Sequence, residues 1–217
     1  EVYHLAAQSH VAISFEIPHY TTVTNTTGTL NFLEAIRQTN KKIRFYNASS
    51  SEMYGTLVTK YQDENTEFKP QSPYAISKLY SHLITKNYRE SYNMFAANGI
   101  LFNHESEDRG ETFVTRKISK FVANYSLNKQ GVLYLGNMSS KRDWGYAPDY
   151  IEGMWKILNY KRAEDFVLST GKSYSVRDFL IKAFKLINVK IKFIDKGANE
   201  KVIDLDTKKI IVKSVSH

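Results

Sequence analysis

The chain has 217 residues, 42% hydrophobic and 24% charged, with 30 basic and 22 acidic side chains, a net charge of +8 and no cysteine. This composition suits a soluble globular domain, or one and a half, and excludes a disordered chain. The missing cysteines exclude a disulfide scaffold, a thiolate zinc site and a cysteine nucleophile, no metal is expected, and a reducing, cytoplasmic setting fits.

No apolar run reaches membrane-span length, so no membrane association is expected. The basic excess reads either as a Lys-rich surface or as attraction for a polyanion. No nucleic-acid-binding signature is present, which leaves a phosphorylated small molecule as the polyanion of choice.

The chain opens inside structure. Residues 2–7, Val-Tyr-His-Leu-Ala-Ala, read as a core strand already under way behind Glu1, so the sequence reads as a fragment whose beginning lies upstream. Residues 18–39 carry helical spacing, with Val23, Leu30, Leu33 and Ile36 on one side. Ile43–Ala48 is strand-like and runs into a polar turn, Ser49-Ser50-Ser51-Glu52. A loop over 55–72 follows. Ser72-Pro73 opens a helix to Tyr92, with Ile76, Leu79 and Leu83 as its expected buried stripe. Residues 94–102 read as another buried strand. Strands alternating with helices of this length predict βαβ units, hence an α/β, Rossmann-like, doubly wound parallel sheet.

After residue 103 the texture changes. A polar stretch to Thr112 precedes a helix with Val114, Ile118, Phe121, Val122 and Tyr125 at helical spacing. A strand at Leu133–Leu135, a loop over Gly136–Gly145, and a helix carrying Ile151, Met154, Trp155 and Leu158 come next. Phe166–Leu168 reads as a strand. Ser175 stands three residues before Asp178 as a helix cap, followed by Val176, Phe179, Leu180, Ala183, Phe184 and Ile187. From 189 onward lysines alternate with apolar residues, which predicts β-strands with a turn near Gly197. We expect residues 1–103 to form the remainder of a dinucleotide-binding domain. Residues 104–217 are expected to form a smaller mixed α/β substrate region, some of whose segments return to the first sheet.

Ligands of open α/β sheets bind beyond the carboxyl ends of the strands. Here those ends are Leu5–Ser9, Ala48–Glu52 and Phe102–Arg109, each turning polar. Tyr74 and Lys78 stand one helical turn apart and share a face. A tyrosine hydroxyl titrates near 10 and is a poor base at neutral pH; a neighbouring ammonium stabilises its phenolate, so the pair is a candidate general acid/base. The spacing alone is weak. With 15 tyrosines in a Lys-rich chain such pairs arise by chance, and Tyr125 with Lys129 is another, read as a core tyrosine beside a surface lysine. What distinguishes the first pair is the Ser-rich strand end upstream of it.

Four segments carry a resemblance: Leu5–Val11 (LAAQSHV), Ala48–Gly55 (ASSSEMYG), Ser72–Lys78 (SPYAISK) and Gly99–Ser106 (GILFNHES). Arg109–Ile118 (RGETFVTRKI), Leu133–Asn137 (LYLGN) and Arg142–Gly145 (RDWG) extend it. Together they resemble the extended short-chain dehydrogenase/reductases, and within them the GDP-mannose 4,6-dehydratase family. The resemblance runs to about residue 195 and is fainter beyond. Two features of that family are missing: no Gly-x-Gly phosphate-binding turn occurs among the ten glycines, and the family's closing segment is not recognised. Ser50 stands where the family usually has Thr, and keeps the hydroxyl.

The resemblance implies a reaction without net redox change. Tyr74 takes the proton of the mannose 4-hydroxyl while Ser50 hydrogen-bonds that oxygen and hydride passes to NADP. Glu52 then removes the acidified C5 proton, water leaves from C6, and the hydride returns there. Glu52 is the discriminating residue, because epimerases and simple reductases need no carboxylate at that place; its alternative is a solvated turn residue. The same resemblance gives Leu5, Ala6, Ala7, Gln8, Ser9, Tyr20, Lys78, His104 and Arg109 to the cofactor, His104 having a purely structural role as its alternative. It gives Asn103, Val114, Lys117, Asn137 and Arg142 to GDP-mannose, with Lys117 alternatively an exposed helix lysine. It also implies a homodimer or homotetramer joined through helices 18–39 and 72–92. A GDP-sugar 4-reductase or epimerase, or a non-catalytic binding module, are the competing readings.

Overall fold

The computed structural model describes residues 1–56 and 61–215. In chain order it contains β1 (Val2–His4), α1 (Val11–Glu16), α2 (Pro18–Thr39) and β2 (Phe45–Ser50), then one 3-10 turn, Ser51–Tyr54. Next come α3 (Pro73–Tyr92), β3 (Ala96–Leu101), β4 (Asn103–Glu105), α4 (Val114–Asn128), β5 (Leu133–Leu135), β6 (Lys141–Tyr146) and α5 (Ala147–Leu158). The last elements are β7 (Asp165–Leu168), β8 (Ser173–Ser175), α6 (Val176–Leu186), β9 (Ile191–Ile194), β10 (Lys201–Asp204) and β11 (Ile210–Ser214). Of the loop expected over 55–72, residues 57–60 lie outside the described residues, as do 216–217 of the tail. Among the described residues no helix is long and apolar enough to cross a membrane.

Two compact units form: Glu1–His104 with Gly145–Gly171, and Glu105–Trp144 with Lys172–His217. The first holds a four-stranded sheet of order β1-β2-β3-β7 in which every pairing is parallel. β2 and β3 are buried at every residue, as strands of a parallel sheet covered on both faces must be. The second holds a mixed sheet of order β5-β11-β10-β9. A separate antiparallel pairing joins β6 to β8. The α/β, parallel-sheet architecture is the one the alternation of elements predicts.

Local chemistry sets the helix starts. The Ser72 hydroxyl accepts from the Ala75 amide at 3.1 Å and Pro73 fills the first helical position, where no amide proton is needed. Ser175 and Asp178 form the expected reciprocal capping box of α6. Asn93 and Lys129, both left-handed, end α3 and α4.

Several expectations need correcting. β1 stops at His4, so Leu5–Ala7 is loop. β2 runs from Phe45 through Ser50, so two of the serines expected in the turn are strand residues. The short elements α1, β4, β6 and β8 were not expected, since three to six residues are too few to show a periodicity. The expected stripes of the first unit's helices are met in part: Leu33 and Ile36 are buried, and Leu30 and Leu79 pack against buried clusters. Val23, Ile76 and Leu83 are 46%, 58% and 52% exposed, while α2 buries Thr21, Asn25, Thr29, Leu33 and Ile36. α3 buries Tyr74, Lys78, Ser81, His82 and Thr85. Ile151 and Trp155 of α5 also face outward. In the second unit the expected core residues Ile118, Val122, Tyr125, Leu180 and Phe184 are all buried in one apolar cluster.

Candidate active site

β2 ends in Ser50, and the turn that follows carries Glu52. The Ser50 hydroxyl oxygen accepts from the Glu52 amide at 3.2 Å, which caps the turn. No acceptor for the Ser50 hydroxyl proton stands among the described residues, so it is available to a ligand oxygen. The turn closes through the Gly55 amide on the Glu52 carbonyl at 3.2 Å. Gly55 has φ 64°, and a Cβ there would lie 1.7 Å from the Lys69 carbonyl oxygen; only glycine fits. Glu52 is half-buried.

α3 delivers the second pair. Tyr74 and Lys78 lie on its buried face, one turn apart. Lys78 donates from Nζ to the Ala48 carbonyl at 2.8 Å, two residues before Ser50. Its burial pushes the ammonium pKa down to about 8. One of its three protons is used in that bond.

The segment after β1 is tied to the same helix by a polar seam. Asn25 of α2 accepts the Gln8 amide at 2.8 Å and donates to the Gln8 carbonyl at 3.1 Å, pairing with it as a neighbouring strand would. The same Nδ2 donates to the Ser77 hydroxyl at 2.9 Å. One turn further on, the Thr29 and Ser81 hydroxyls meet at 3.1 Å, and His4 Nε2 lies 3.1 Å from the Thr29 hydroxyl. Burial, and then the charge of Lys78, hold the His4 pKa down at about 4. The side-chain oxygen of Gln8 is buried without a hydrogen-bond partner among the described residues. An orphaned acceptor on the expected cofactor segment fits a ligand hydroxyl, so the residues present suit a dinucleotide ribose. Leu5 is exposed on this segment, and Tyr20 is exposed in the first turn of α2.

Beyond β3, Asn103 and His104 are half-buried. His104 Nδ1 lies 2.9 Å from the Phe102 carbonyl and its ring stacks on Tyr150 with centroids 4.6 Å apart. A carbonyl only accepts, so Nδ1 carries the proton.

The remaining expected contacts belong to the second unit. Arg109 pairs with Glu105 at 3.1 Å and lies 3.5 Å over the Phe113 ring; Glu105 also accepts from the Thr115 hydroxyl at 2.7 Å. Val114 is the first residue of α4 and packs against that unit's core. Lys117 donates to the Tyr134 carbonyl at 2.8 Å, and the Asn137 side chain accepts from the Ser139 amide at 2.9 Å. Arg142 donates to the Lys141 carbonyl at 2.8 Å. The Tyr125 hydroxyl donates to Asp204 at 2.7 Å and Lys129 is exposed, the structural arrangement expected of that pair.

The first unit therefore gathers Ser50 and Glu52 on one strand end, Tyr74 and Lys78 on one helix face, and Leu5–Ser9 on the neighbouring strand end. Sequence reasoning missed Asn25, Thr29 and His4. The readable signal was the polar repeat Thr21-Asn25-Thr29, matched by Ser77-Ser81-Thr85, at four-residue spacing inside two helices.

Comparison with known proteins gives the family. The sequence model of the GDP-mannose 4,6 dehydratase family matches residues 1–216. The GDP-mannose 4,6-dehydratase of Yersinia enterocolitica is 53% identical over 202 residues, 92% of this chain and 54% of that protein. The Dictyostelium discoideum enzyme of the same description is 49% identical over 215 residues, 98% of this chain and 60% of that one. The chain thus spans between half and two thirds of the length of these curated relatives. Among solved structures, RMD from Pseudomonas aeruginosa complexed with NADPH superposes with a TM-score of 0.82 at 24% identity, over 87% of this chain and 66% of that one. The dTDP-glucose 4,6-dehydratase DesIV from Streptomyces venezuelae, with NAD and TYD bound, gives 0.78 at 23% identity, over 99% and 63%. The two structures support the fold, and the sequence matches decide the family: this chain belongs to the GDP-mannose 4,6-dehydratases.

Proposed function

We propose that the protein carrying this chain dehydrates GDP-mannose to GDP-4-keto-6-deoxy-mannose, with NADP as cofactor. The observation that carries the reading is the bond from Lys78 Nζ to the Ala48 carbonyl. It brings the acid/base pair of α3 to the strand end that bears Ser50 and Glu52. Tyr74 takes the proton of the sugar 4-hydroxyl, its phenolate favoured by the neighbouring ammonium. Ser50 donates its uncommitted proton to that oxygen. A bound nicotinamide supplies the acceptor for the C4 hydride and the donor that returns it at C6. Glu52 takes the C5 proton that the new ketone has acidified and gives it to the C6 hydroxyl, which departs as water; the proton held by Tyr74, delivered at C5, balances the hydride returning at C6.

Gln8 and its neighbours Leu5, Ala6, Ala7 and Ser9 hold the cofactor, with Lys78 on its ribose. Family resemblance adds Tyr20, His104 and Arg109. For GDP-mannose it gives Asn103, Val114 and Asn137, with Lys117 and Arg142 against the diphosphate, a group that guanidinium and ammonium recognise well. The outward apolar residues Val23 on α2, and Ile76, Tyr80 and Leu83 on α3, fit a homodimer face.

Product mass tests the reading. Incubated with GDP-mannose and catalytic NADP, the full-length protein is expected to yield a product lighter by one water. An unchanged mass would mark an epimerase or a 4-reductase, since neither removes water. Glu52→Gln is expected to stop water loss while leaving NADP binding intact; normal dehydration by that variant would remove Glu52 from the mechanism.

A further inference from the structure

One turn beyond Lys78, the same helix face carries His82, which the reaction does not use. It sits in a buried polar network of the first unit. Its Nδ1 lies 3.0 Å from the Ser49 hydroxyl, and its Nε2 faces the Asp165 carboxylate at 3.6 Å. Asn47 donates to the Ser49 oxygen at 3.3 Å and to Asn98 at 2.8 Å. Asn98 donates to Asp165 at 2.9 Å and to the His82 carbonyl at 3.2 Å. Arg89 closes the network on Asp165 at 2.9 Å. Phe68 meets the imidazole edge-on at 5.2 Å. Four elements, β2, β3, β7 and α3, are joined by side chains in strands where apolar residues would serve stability at least as well.

The Asp165 carboxylate biases the proton positions. A bare Nε2 lone pair facing a carboxylate is repulsive, which favours the proton on Nε2; Nδ1 then accepts from the Ser49 hydroxyl, whose single proton also has Asn98 Oδ1 as an acceptor at 3.3 Å. The groups facing the ring are Asp165 from β7, Ser49 from β2, Asn98 from β3, and Lys86 and Arg89 from α3. Burial first, then Arg89 and Lys86, push its pKa below the usual histidine value against the opposing pull of Asp165, which keeps it neutral at pH 7.

α3 therefore grips β2 at two consecutive residues, through Lys78 on the Ala48 carbonyl and His82 on the Ser49 hydroxyl. The next residue is Ser50. We propose that His82, oriented by Asp165, is a positioning residue for the dehydration: it locks the end of β2 against α3 and so sets Ser50 and Glu52 relative to Tyr74 and Lys78. This rests on the function proposed above and adds to it a residue that touches neither substrate nor cofactor.

The test uses the full-length protein. His82→Phe keeps ring volume and the Phe68 contact but removes both nitrogens; His82→Asn restores an oxygen acceptor for Ser49. His82→Phe and Ser49→Ala are each expected to lower kcat roughly 10- to 100-fold, the cost of a misplacement of about 1 Å. KM for GDP-mannose and the affinity for NADP should change little, His82→Asn should recover most of kcat, and the double variant His82→Phe with Ser49→Ala should be no slower than either single one. A kcat for folded His82→Phe equal to wild type, whatever its melting temperature, would overturn the proposal while leaving the dehydratase reading intact. No dehydration by the wild type would sink that reading and this one together. Independently of turnover, long-range proton–nitrogen spectra should find His82 neutral with its proton on Nε2 at pH 7; the other tautomer, or a cation, would also overturn it.

Discussion

Helices α4 and α6 of the second unit bury Ile118, Val122, Tyr125, Leu180 and Phe184 in a cluster that also takes in Leu133, Val202 and Val212. Helices α2 and α3 of the first unit pack through Asn25, Thr29, Ser77, Ser81 and their hydrogen bonds, and turn Val23, Ile76 and Leu83 outward. The second arrangement is the more demanding one. Each buried hydroxyl or amide must find a partner or lose the full solvation of that group. What it supplies is position. Apolar packing is satisfied by many small displacements, whereas Asn25 paired with both backbone groups of Gln8 tolerates few. The polar interface lies beside the residues expected to handle the cofactor, and the apolar one builds a scaffold.

The largest effect should follow from hollowing the apolar core. Phe184 is fully buried, and Phe184→Ala is expected to destabilise the second unit by about 3–5 kcal/mol. Hydrogen exchange should show the loss in α4, α6 and β10 amides and spare β2 and β3. Loss of protection in all of these together would mean that the two units unfold as one.

Acid should do the opposite, reaching the first unit through its histidines. His4 has a folded pKa of about 4 against about 6.5 unfolded. The native state then binds fewer protons than the unfolded one between those values. Stability is complete above pH 6.5 and falls as the pH drops towards 4, by about 3 kcal/mol from this residue. Urea midpoints of the first unit at pH 7 and pH 4.5 should differ accordingly. His4→Phe, whose ring can keep the contacts with Phe32 and Phe45, should flatten the slope; an unchanged slope would place the titration elsewhere.

Asn25→Ala removes three hydrogen bonds and strands the Gln8 amide and carbonyl. A loss of about 1–3 kcal/mol is expected. It should be accompanied by weaker NADP binding, because the segment it holds is the one proposed to line the cofactor. Loss of stability with unaltered binding would reduce Asn25 to a packing residue.

The same contrast explains what could be read from the sequence. Parallel α/β architecture, the extents of α2 and α3, the strand β5 and the capping box of α6 all follow from local signals: apolar runs, Pro at a first turn, Ser three residues before Asp. The second unit's core was also legible, since apolar periodicity there points inward. In α2 the same rule found Leu30, Leu33 and Ile36 but misplaced Val23, and in α3 it found Leu79 but misplaced Ile76 and Leu83. Periodicity reports that an apolar stripe exists, not what covers it. Nor does it reveal hydrogen bonds between residues 52 apart, such as Asn25 with Ser77, or a strand like β6 that opens Lys-Arg-Asp and exists through its pairing with β8. The candidate site residues come from motif resemblance, and Tyr74 with Lys78 also from their spacing. Their structural supports, Asn25, His4 and His82, belong to no local pattern and needed the fold.

The smallest effect on stability should come from the outward stripe of α3, and it bears on the comparison most directly. Leu83 is half exposed beside Ile76 and Tyr80. If that face meets only water, Leu83→Lys should change neither protomer stability, beyond about 0.5 kcal/mol, nor mass in solution. If it is the homodimer face, stability measured at high dilution should again move little, but association should weaken sharply, because a lysine ammonium would lose its hydration on docking against apolar neighbours. Sedimentation of wild type and variant across a concentration series separates the two. We expect the variant to dissociate at concentrations where wild type remains paired. With that outcome, the polar interior of the α2–α3 pair and its apolar exterior would have one explanation: hydrogen bonds inside to hold the candidate site, and an apolar side for a second copy of the chain.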